Sequence, residues 1–206
     1  MTVTTIPTAG IADDAVGNTK LDLSANYAFT GTVTGAGGGK VLQVVSTTKT
    51  DSFSANAGGG SGGAGFIDVT GLSVNITPTS SSNKIYVTAD VSVASESGSD
   101  FSTSASIRLL RGSTAIFVGT EATSSRTNTG RYFSNPTSDS RNSALLVASG
   151  LDSPSTTSQV TYKIQVTQGY NIGGRSVFVN RNPNSADAYG TFRMASTITA
   201  MEIAQW

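Results

Sequence analysis

The residues of this chain that could make or break bonds are its carboxylates. Histidine and cysteine are both absent, so a Ser-His-Asp triad, a Cys-His pair, a disulfide and every thiolate or imidazole metal site are excluded. What remains is acid and base work by paired Asp or Glu, as in glycoside hydrolysis, which needs two carboxyls about 5 to 10 Å apart with one pKa raised. Glu96, Asp100, Glu121, Asp139, Asp152 and Asp187 stand in turn-rich stretches where such a pair could form. Each has a simpler use, because Asp bonds the backbone two residues on and so favours turns. Asp152 in "LDSPS" and Asp187 in "NPNSAD" read as turn caps. Glu96 and Asp100 in "SESGSD" could offer oxygens to Ca²⁺, but their spacing matches no calcium loop and a solvated turn is expected. No catalytic residue, cofactor or metal is expected, and the chain reads as a non-enzyme.

Two motifs dissolve in context. Gly58, Gly60 and Gly63 satisfy G-x-G-x-x-G, yet no strand leads in, no helix follows and a Walker lysine is missing, so a loop is expected in place of a phosphate cradle. "NIT" at Asn75 is a formal glycosylation acceptor inside an alternating strand, and it is read as idle.

Recognition chemistry is better represented. Arg126, Arg131, Tyr132, Phe133, Arg141, Tyr170, Arg175, Arg181, Tyr189, Phe192 and Arg193 gather in the second half of the chain. Aromatic faces and Arg forks on loops grip glycans and partner proteins. Arg131, Tyr132, Phe133, Tyr170, Arg175 and Tyr189 are the candidate glycan contacts, since each stands near Gly, Asn, Pro or Ser and outside the best strands. For the four rings of that set, packing within a sandwich is the competing reading. Phe178 and Phe192 are expected inward.

The elements that must position these residues announce themselves from Lys40 onward by strict period-two alternation, which no helix satisfies. In "GLSVNITP" Leu72, Val74 and Ile76 share one face; in "KIYVTADVSVAS" the set is Ile85, Val87, Ala89, Val91 and Val93; in "QVTYKIQVTQ" it is Val160, Tyr162, Ile164 and Val166. One apolar and one polar face mark antiparallel sheets packed as a sandwich. Weaker strands are "KVLQVVSTTKT", "SASIRLL", "AIFVG", "NSALLVAS", "RSVFVNR" and "STITAMEIAQ", giving roughly eight to ten strands and a jelly roll or related Greek-key sandwich. Residues 54–65 and 123–142 are expected as loops.

Composition agrees. A chain of 206 residues can hold one compact domain that buries about 70% of its unfolded surface, plus an appendage. Lys and Arg balance Asp and Glu at 13 each, so no net charge draws the chain to nucleic acid or an anionic membrane. Charged residues are only 13% of the chain, which leaves Ser, Thr, Asn and Gly to supply the wet surface, and Thr favours strands. "MTVTTIPTAG" has neither a basic n-region nor an apolar h-region, and no stretch approaches the roughly 18 apolar residues of a membrane span. No secretory signal or membrane insertion is therefore expected.

Residues 1–39 are a different substance. Ile6, Ile11, Val16, Leu21, Leu23 and Phe29 are apolar anchors without a sustained period, interrupted by Pro7, Gly10, Gly17 and Gly31. The expectation is an extended N-terminal arm that orders on another surface, followed by an all-β, jelly-roll-like body over 40–206. "IADDAVGNTKL" followed by "FTGTVTGA" is similar to N-terminal segments of bacteriophage tail-fibre proteins, which lead from a virion attachment point into a trimeric β-rich body. "GKVLQVVSTTKTDSF", "FIDVTGLSVNITPTSSSNKIYVTADVSV", "IRLLRGSTAI", "LDSPSTTSQVTYKIQV" and "VFVNR" resemble C-terminal domains of marine and cyanobacterial phage fibre-like proteins. The resemblance implies a virion protein made in the host cytoplasm, a homotrimer with a jelly roll of the C1q or TNF kind, an arm bound to other virion proteins and a body that binds host surface glycan. A capsid decoration or head-fibre protein is the alternative, and a polysaccharide depolymerase a third reading. A chain beginning at Lys40 is expected to fold with the strand content and melting temperature of the full protein, by circular dichroism; unfolding of that shorter chain would make the arm part of the body.

Overall fold

The computed structural model describes residues 41–57, 65–96, 103–121, 128–135, 141–168, 175–184, 186 and 189–205. The arm anchors Ile6, Ile11, Val16, Leu21, Leu23 and Phe29, and the glycines 58, 60 and 63, lie outside these residues. The described elements are all strands: β1 (Val41–Lys49), β2 (Phe53–Asn56), β3 (Ile67–Ile76), β4 (Lys84–Ser95), β5 (Thr103–Arg111), β6 (Thr114–Ile116), β7 (Arg131–Asn135), β8 (Ala144–Asp152), β9 (Val160–Gln168), β10 (Ser176–Val179) and β11 (Ser196–Ile203). No helix long and apolar enough to cross a membrane occurs among them.

Every pairing is antiparallel. The first sheet runs β1-β11-β4-β8, with β10 pairing the last residues of β4 beyond β11 and carrying β2 on its far side. The second runs β3-β9-β5, and β7 and β6 lie end to end along the free side of β5. Among the eight longer strands, each step along the chain changes sheet except the one from β5 to β7. That order is the jelly roll, in which paired Greek keys wrap two four-stranded sheets around one core.

The alternating residues do what their period requires. Leu72, Val74, Ile76, Ile85, Val87, Ala89, Val91, Val93, Val160, Tyr162, Ile164 and Val166 all belong to one buried cluster between the sheets. Each fully buried Val, Leu or Ile contributes about 1.5–3 kcal/mol of transfer free energy. Gly71, at φ +83, lets β3 bulge between Asp68 and Ser73 against β9. Without that irregularity "FIDV" and "GLSVNI" could not form one strand with both apolar sets facing inward, since Val69 and Leu72 are both buried but three residues apart.

Two short strands depart from expectation. β2 overlaps the start of 54–65 and β7 falls within 123–142, both stretches where loops were expected. β7 is held by five register pairs to β5, from Thr103↔Asn135 to Ile107↔Arg131. Beside it Phe117 adopts a left-handed φ of 55 and lays its ring 2.6 Å from where a Cβ on Gly150 would stand. Only glycine in β8 leaves room for that ring.

A charged residue sits on the inward face of β11. Glu202 is fully buried, and its carboxylate is met by neutral donors alone. Oε1 accepts from the Thr79 N–H at 2.7 Å, the Thr79 hydroxyl at 2.8 Å and the Asn83 amide at 2.6 Å; Oε2 accepts from the Gln43 amide at 2.6 Å. Gln43 lies on β1, and Thr79 and Asn83 lie in the β3–β4 turn, so one side chain fastens three parts of the chain. Burial pushes the Glu202 pKa up, but the hydrogen bonds from Gln43, Asn83 and Thr79 outweigh it and bring it to about 2. The ionised form is thus favoured in the folded state, relative to an ordinary value of 4.5. Its contribution, about 3 kcal/mol, is complete above the unfolded value and is lost as pH falls from 4.5 through about 2. Glu202→Gln can keep an oxygen for Thr79 and Asn83 but then sets an amide N–H₂ against the Gln43 amide and loses the charge, and it is expected to cost about 2–4 kcal/mol at pH 7 and to remove that pH dependence. Denaturant melts of both proteins at pH 7, 4.5 and 3 check this; parallel loss of stability in both would assign the acid sensitivity to other groups.

Candidate functional site

Asp152 is no turn cap. It ends β8, is 8% exposed, and its carboxylate takes Arg111 Nη1 at 2.9 and 3.0 Å and the Tyr162 hydroxyl at 2.7 Å. Burial, then the Asp152 bond, raise the Tyr162 pKa and keep the phenol protonated. The two sheets are joined here by a satisfied charge pair, in which every carboxylate oxygen has a donor from the opposite sheet. Glu96 accepts the Ser176 N–H at 2.9 Å, and Asp100, Asp139 and Asp187 lie outside the described residues. Among the described residues no group of three or more His, Cys, Asp or Glu could hold a metal. Asn75 is exposed on β3, where its Oδ1 accepts the Thr161 hydroxyl at 2.6 Å.

The described candidate glycan contacts lie on segments of both sheets. Arg131, Tyr132 and Phe133 belong to strand β7, not to a loop. The pleat then divides them: Tyr132 is 56% exposed, whereas Phe133 turns inward and packs against the core. Arg131 is exposed and donates to the Gly130 carbonyl at 2.7 Å. Tyr189 and Arg175 belong to the other sheet's segments, Tyr189 fully exposed in the β10–β11 connection and Arg175 half-buried just before β10. Tyr170 lies outside the described residues. Phe192, expected in the core, is 65% exposed. Phe178 is buried, but on the outward side of β10, capped by the Arg181 guanidinium 4.2 Å from its ring centroid.

The two outward faces of the sandwich differ in chemistry. On the β3-β9-β5 sheet, Lys163 binds Asp68 at 2.7 Å, Gln165 donates to Asp68 at 2.6 Å and accepts from Arg108 at 2.8 Å, and Arg108 covers the Phe66 ring at 3.8 Å. The Lys163 bond holds the Asp68 carboxyl below its usual range, and burial lowers the Arg108 pKa. These charges and amides are mutually satisfied, as on a solvent face.

The β1-β11-β4-β8 face is built of rows that cross all four strands. Val44, Met201, Tyr86 and Leu151 stand in register, as do Ser46, Thr199, Thr88 and Ser149, then Thr48, Thr197, Asp90 and Val147. Val44 is 55% exposed and Leu151 54%. Hydroxyls of Ser46 and Thr199 meet at 2.9 Å, and those of Thr48 and Thr197 at 3.2 Å. Asp90 is the sole charged residue of these rows. Exposed Leu145 continues the apolar surface on β8, which has no Lys and no Pro to guard its open edge. The face is thus apolar and hydroxyl-lined across all four strands. The signal was present in "ALLVASGLD", where both alternating sets are apolar, but an alternation search credits only one face.

No protein-family model and no curated protein sequence matches the chain. Among solved structures, a chain described as "Structure of infectious bursal disease virus Gx strain" aligns at 15% identity and a TM-score of 0.30, over 79% of this chain and 40% of that one. The chain therefore spans less than half the length of that viral protein chain, and the fold assignment rests on its own strand order and register. Phe133→Ala is expected to cost about 1–3 kcal/mol, whereas Tyr132→Ala moves stability by only about ±0.5 kcal/mol. Paired thermal melts check the difference; equal losses would contradict the pleat assignment of β7.

Proposed function

We propose that this chain is a structural protein of a bacteriophage particle, a homotrimeric tail fibre whose N-terminal arm binds other virion proteins and whose jelly roll meets host surface glycan. The likeness of residues 11–21 and 29–36 to tail-fibre N-termini supplies the virion context and the stoichiometry. The observation that carries the reading is the sparsely charged face of the β1-β11-β4-β8 sheet, with its Val44–Met201–Tyr86–Leu151 row and Asp90 as the single charge of its three rows. A second copy of the chain is the occupant it fits. Such a face asks for little charge complement, and the opposite sheet, with its satisfied Asp68–Lys163–Arg108–Gln165 network, offers no comparable reward for desolvation.

A depolymerase would need a carboxylate pair; of the described carboxylates, Asp68, Asp152, Asp51, Glu202 and Glu96 are engaged by Lys163, by Arg111 and Tyr162, by Lys49, by the β3–β4 turn and by the Ser176 N–H. Gold-labelled antibody against the chain is expected to mark the tails of intact particles; label on the head would make it a capsid decoration, and no label would end the virion reading. Native mass measurement is expected to give three copies, falling to one in the Val44→Lys/Leu151→Lys double variant with its strand spectrum retained. Trimers in that variant would move the interface elsewhere.

A further inference from the structure

Asp90 puts a carboxylate where its own sheet has nothing to meet it. It stands outward on β4, exposed, between Thr197 on β11 and Val147 on β8. The Thr197 hydroxyl meets that of Thr48 at 3.2 Å, the Ser92 hydroxyl donates to the Ala195 carbonyl at 3.4 Å, and Val147 has no polar atom to offer. Among the described residues no cation is paired with Asp90. The other charge in the outward column of β4 is Lys84, about 20 Å away along the strand. Its ammonium donates to the Ser153 hydroxyl, a neutral group, at 2.6 Å.

The size of the face lets one charge matter. Four strands about 4.8 Å apart, with β11 only 8 residues long, cover roughly 500 Å² in projection. A standard stable interface buries about 800 Å² per partner. Two alignments of a second copy compete on this face. With strands antiparallel, a two-fold axis beside Val87 sets Lys84 of each copy against Asp90 of the other. The same axis lays the Val44–Met201–Tyr86–Leu151 row on the Ser46–Thr199–Thr88–Ser149 row, apolar against hydroxyl. With strands parallel, each row meets its own kind and Asp90 comes level with Asp90. Exposed ion pairs contribute little and are screened by salt, whereas burial stabilises in proportion to apolar area. The apolar row therefore favours the parallel alignment, which a closed three-fold about an axis along the strands provides.

We propose that copies of this chain meet on the β1-β11-β4-β8 face level on level, and that Asp90 is the residue that limits their affinity. The inference rests on the trimer reading above and deepens it. A carboxylate that loses water without gaining a donor opposes the contact, and like charges at one level add repulsion. The face thus associates less tightly than its apolar row allows. The same charge rejects any apolar partner that brings no cation to it.

Sedimentation of the full chain across a concentration series is the test. The parent is expected to form trimers, and Asp90→Asn, a nearly isosteric change at an exposed position, to reach half-assembly at a concentration about tenfold lower or less. Lys84→Gln is expected to assemble at least as tightly as the parent. Asp68→Asn, which removes the same charge from the opposite sheet, is expected to match the parent. Weaker assembly of both Asp90→Asn and Lys84→Gln would assign the antiparallel alignment and overturn the proposal, as would equal tightening in Asp90→Asn and Asp68→Asn. A parent that trimerises while Asp90→Asn assembles no better overturns this inference alone. If the parent and Asp90→Asn both stay monomeric, the trimer reading falls with it. Should Asp90→Asn fail to fold, Asp90→Ser serves in its place under the same criteria.

Discussion

The pleat is the constraint from which the rest of this molecule follows. Each strand must give alternate side chains to the one core, so the residues free to meet a partner are those between them. A slip of one residue in β4 would drive Tyr86, Thr88, Asp90 and Ser92 inward and expose Ile85, Val87, Ala89, Val91 and Val93, all now fully buried. The cost of that slip is many kcal/mol, so the outward rows are fixed as rigidly as the core. Val44, Met201, Tyr86 and Leu151 line up across four strands because Val45, Ala200, Val87 and the Gly150 backbone line up beneath them. A surface specified in this way needs no further ordering when a partner arrives, which reduces the entropy lost on binding.

Inward polar groups strengthen the register. Glu202 would be buried without its donors if β11 shifted against β1 or the β3–β4 turn, since Gln43, Thr79 and Asn83 are all placed for one position only. Asp152, Arg111 and Tyr162 do the same where β8, β5 and β9 meet. A buried carboxylate left without partners costs far more than its satisfied form gains. These networks therefore penalise wrong pairings more than they stabilise the right one. In a sandwich whose strands are built largely from Val, Ile, Ser, Thr and Ala, many registers satisfy apolar packing alone, and the buried acids discriminate among them.

What was legible in the sequence was whatever the period of two could carry. β3, β4 and β9 declared their inward sets without error, and the number of strands pointed to a jelly roll or related Greek-key sandwich, between which the strand order decides. β2 and β7 were hidden because four or five residues rich in Ser and Asn give no alternation to read; their pairing comes from β10 and β5. Phe133 and Phe192 were misassigned for the same reason, as a ring near Gly or Pro says nothing of its side until a neighbouring strand supplies the pleat. Glu202 was legible in phase, since Ile198 and Ala200 precede it on the inward face. It was passed over because a charge there makes sense only once Gln43, Thr79 and Asn83 are brought from more than a hundred residues away.

A chain with equal numbers of acids and bases places them according to the kind of segment that carries them. Here Asp68 and Lys163 neutralise one another on the β3-β9-β5 face, while Glu202 and Asp152 are buried near the ends of β11 and β8. The placement has a physical origin in the two kinds of segment involved. Paired strands juxtapose opposite charges and satisfy them across the ladder, as Asp68 and Lys163 do. The β10–β11 connection pairs with its neighbours through one isolated bridge, Arg181↔Arg193, and is held where it leaves β10 by two buried amides: Asn180 bonds the Lys49 and Asp51 carbonyls, and Asn182 accepts the Phe192 N–H. Where the ladder ends, buried side-chain amides take over its work of satisfying backbone groups.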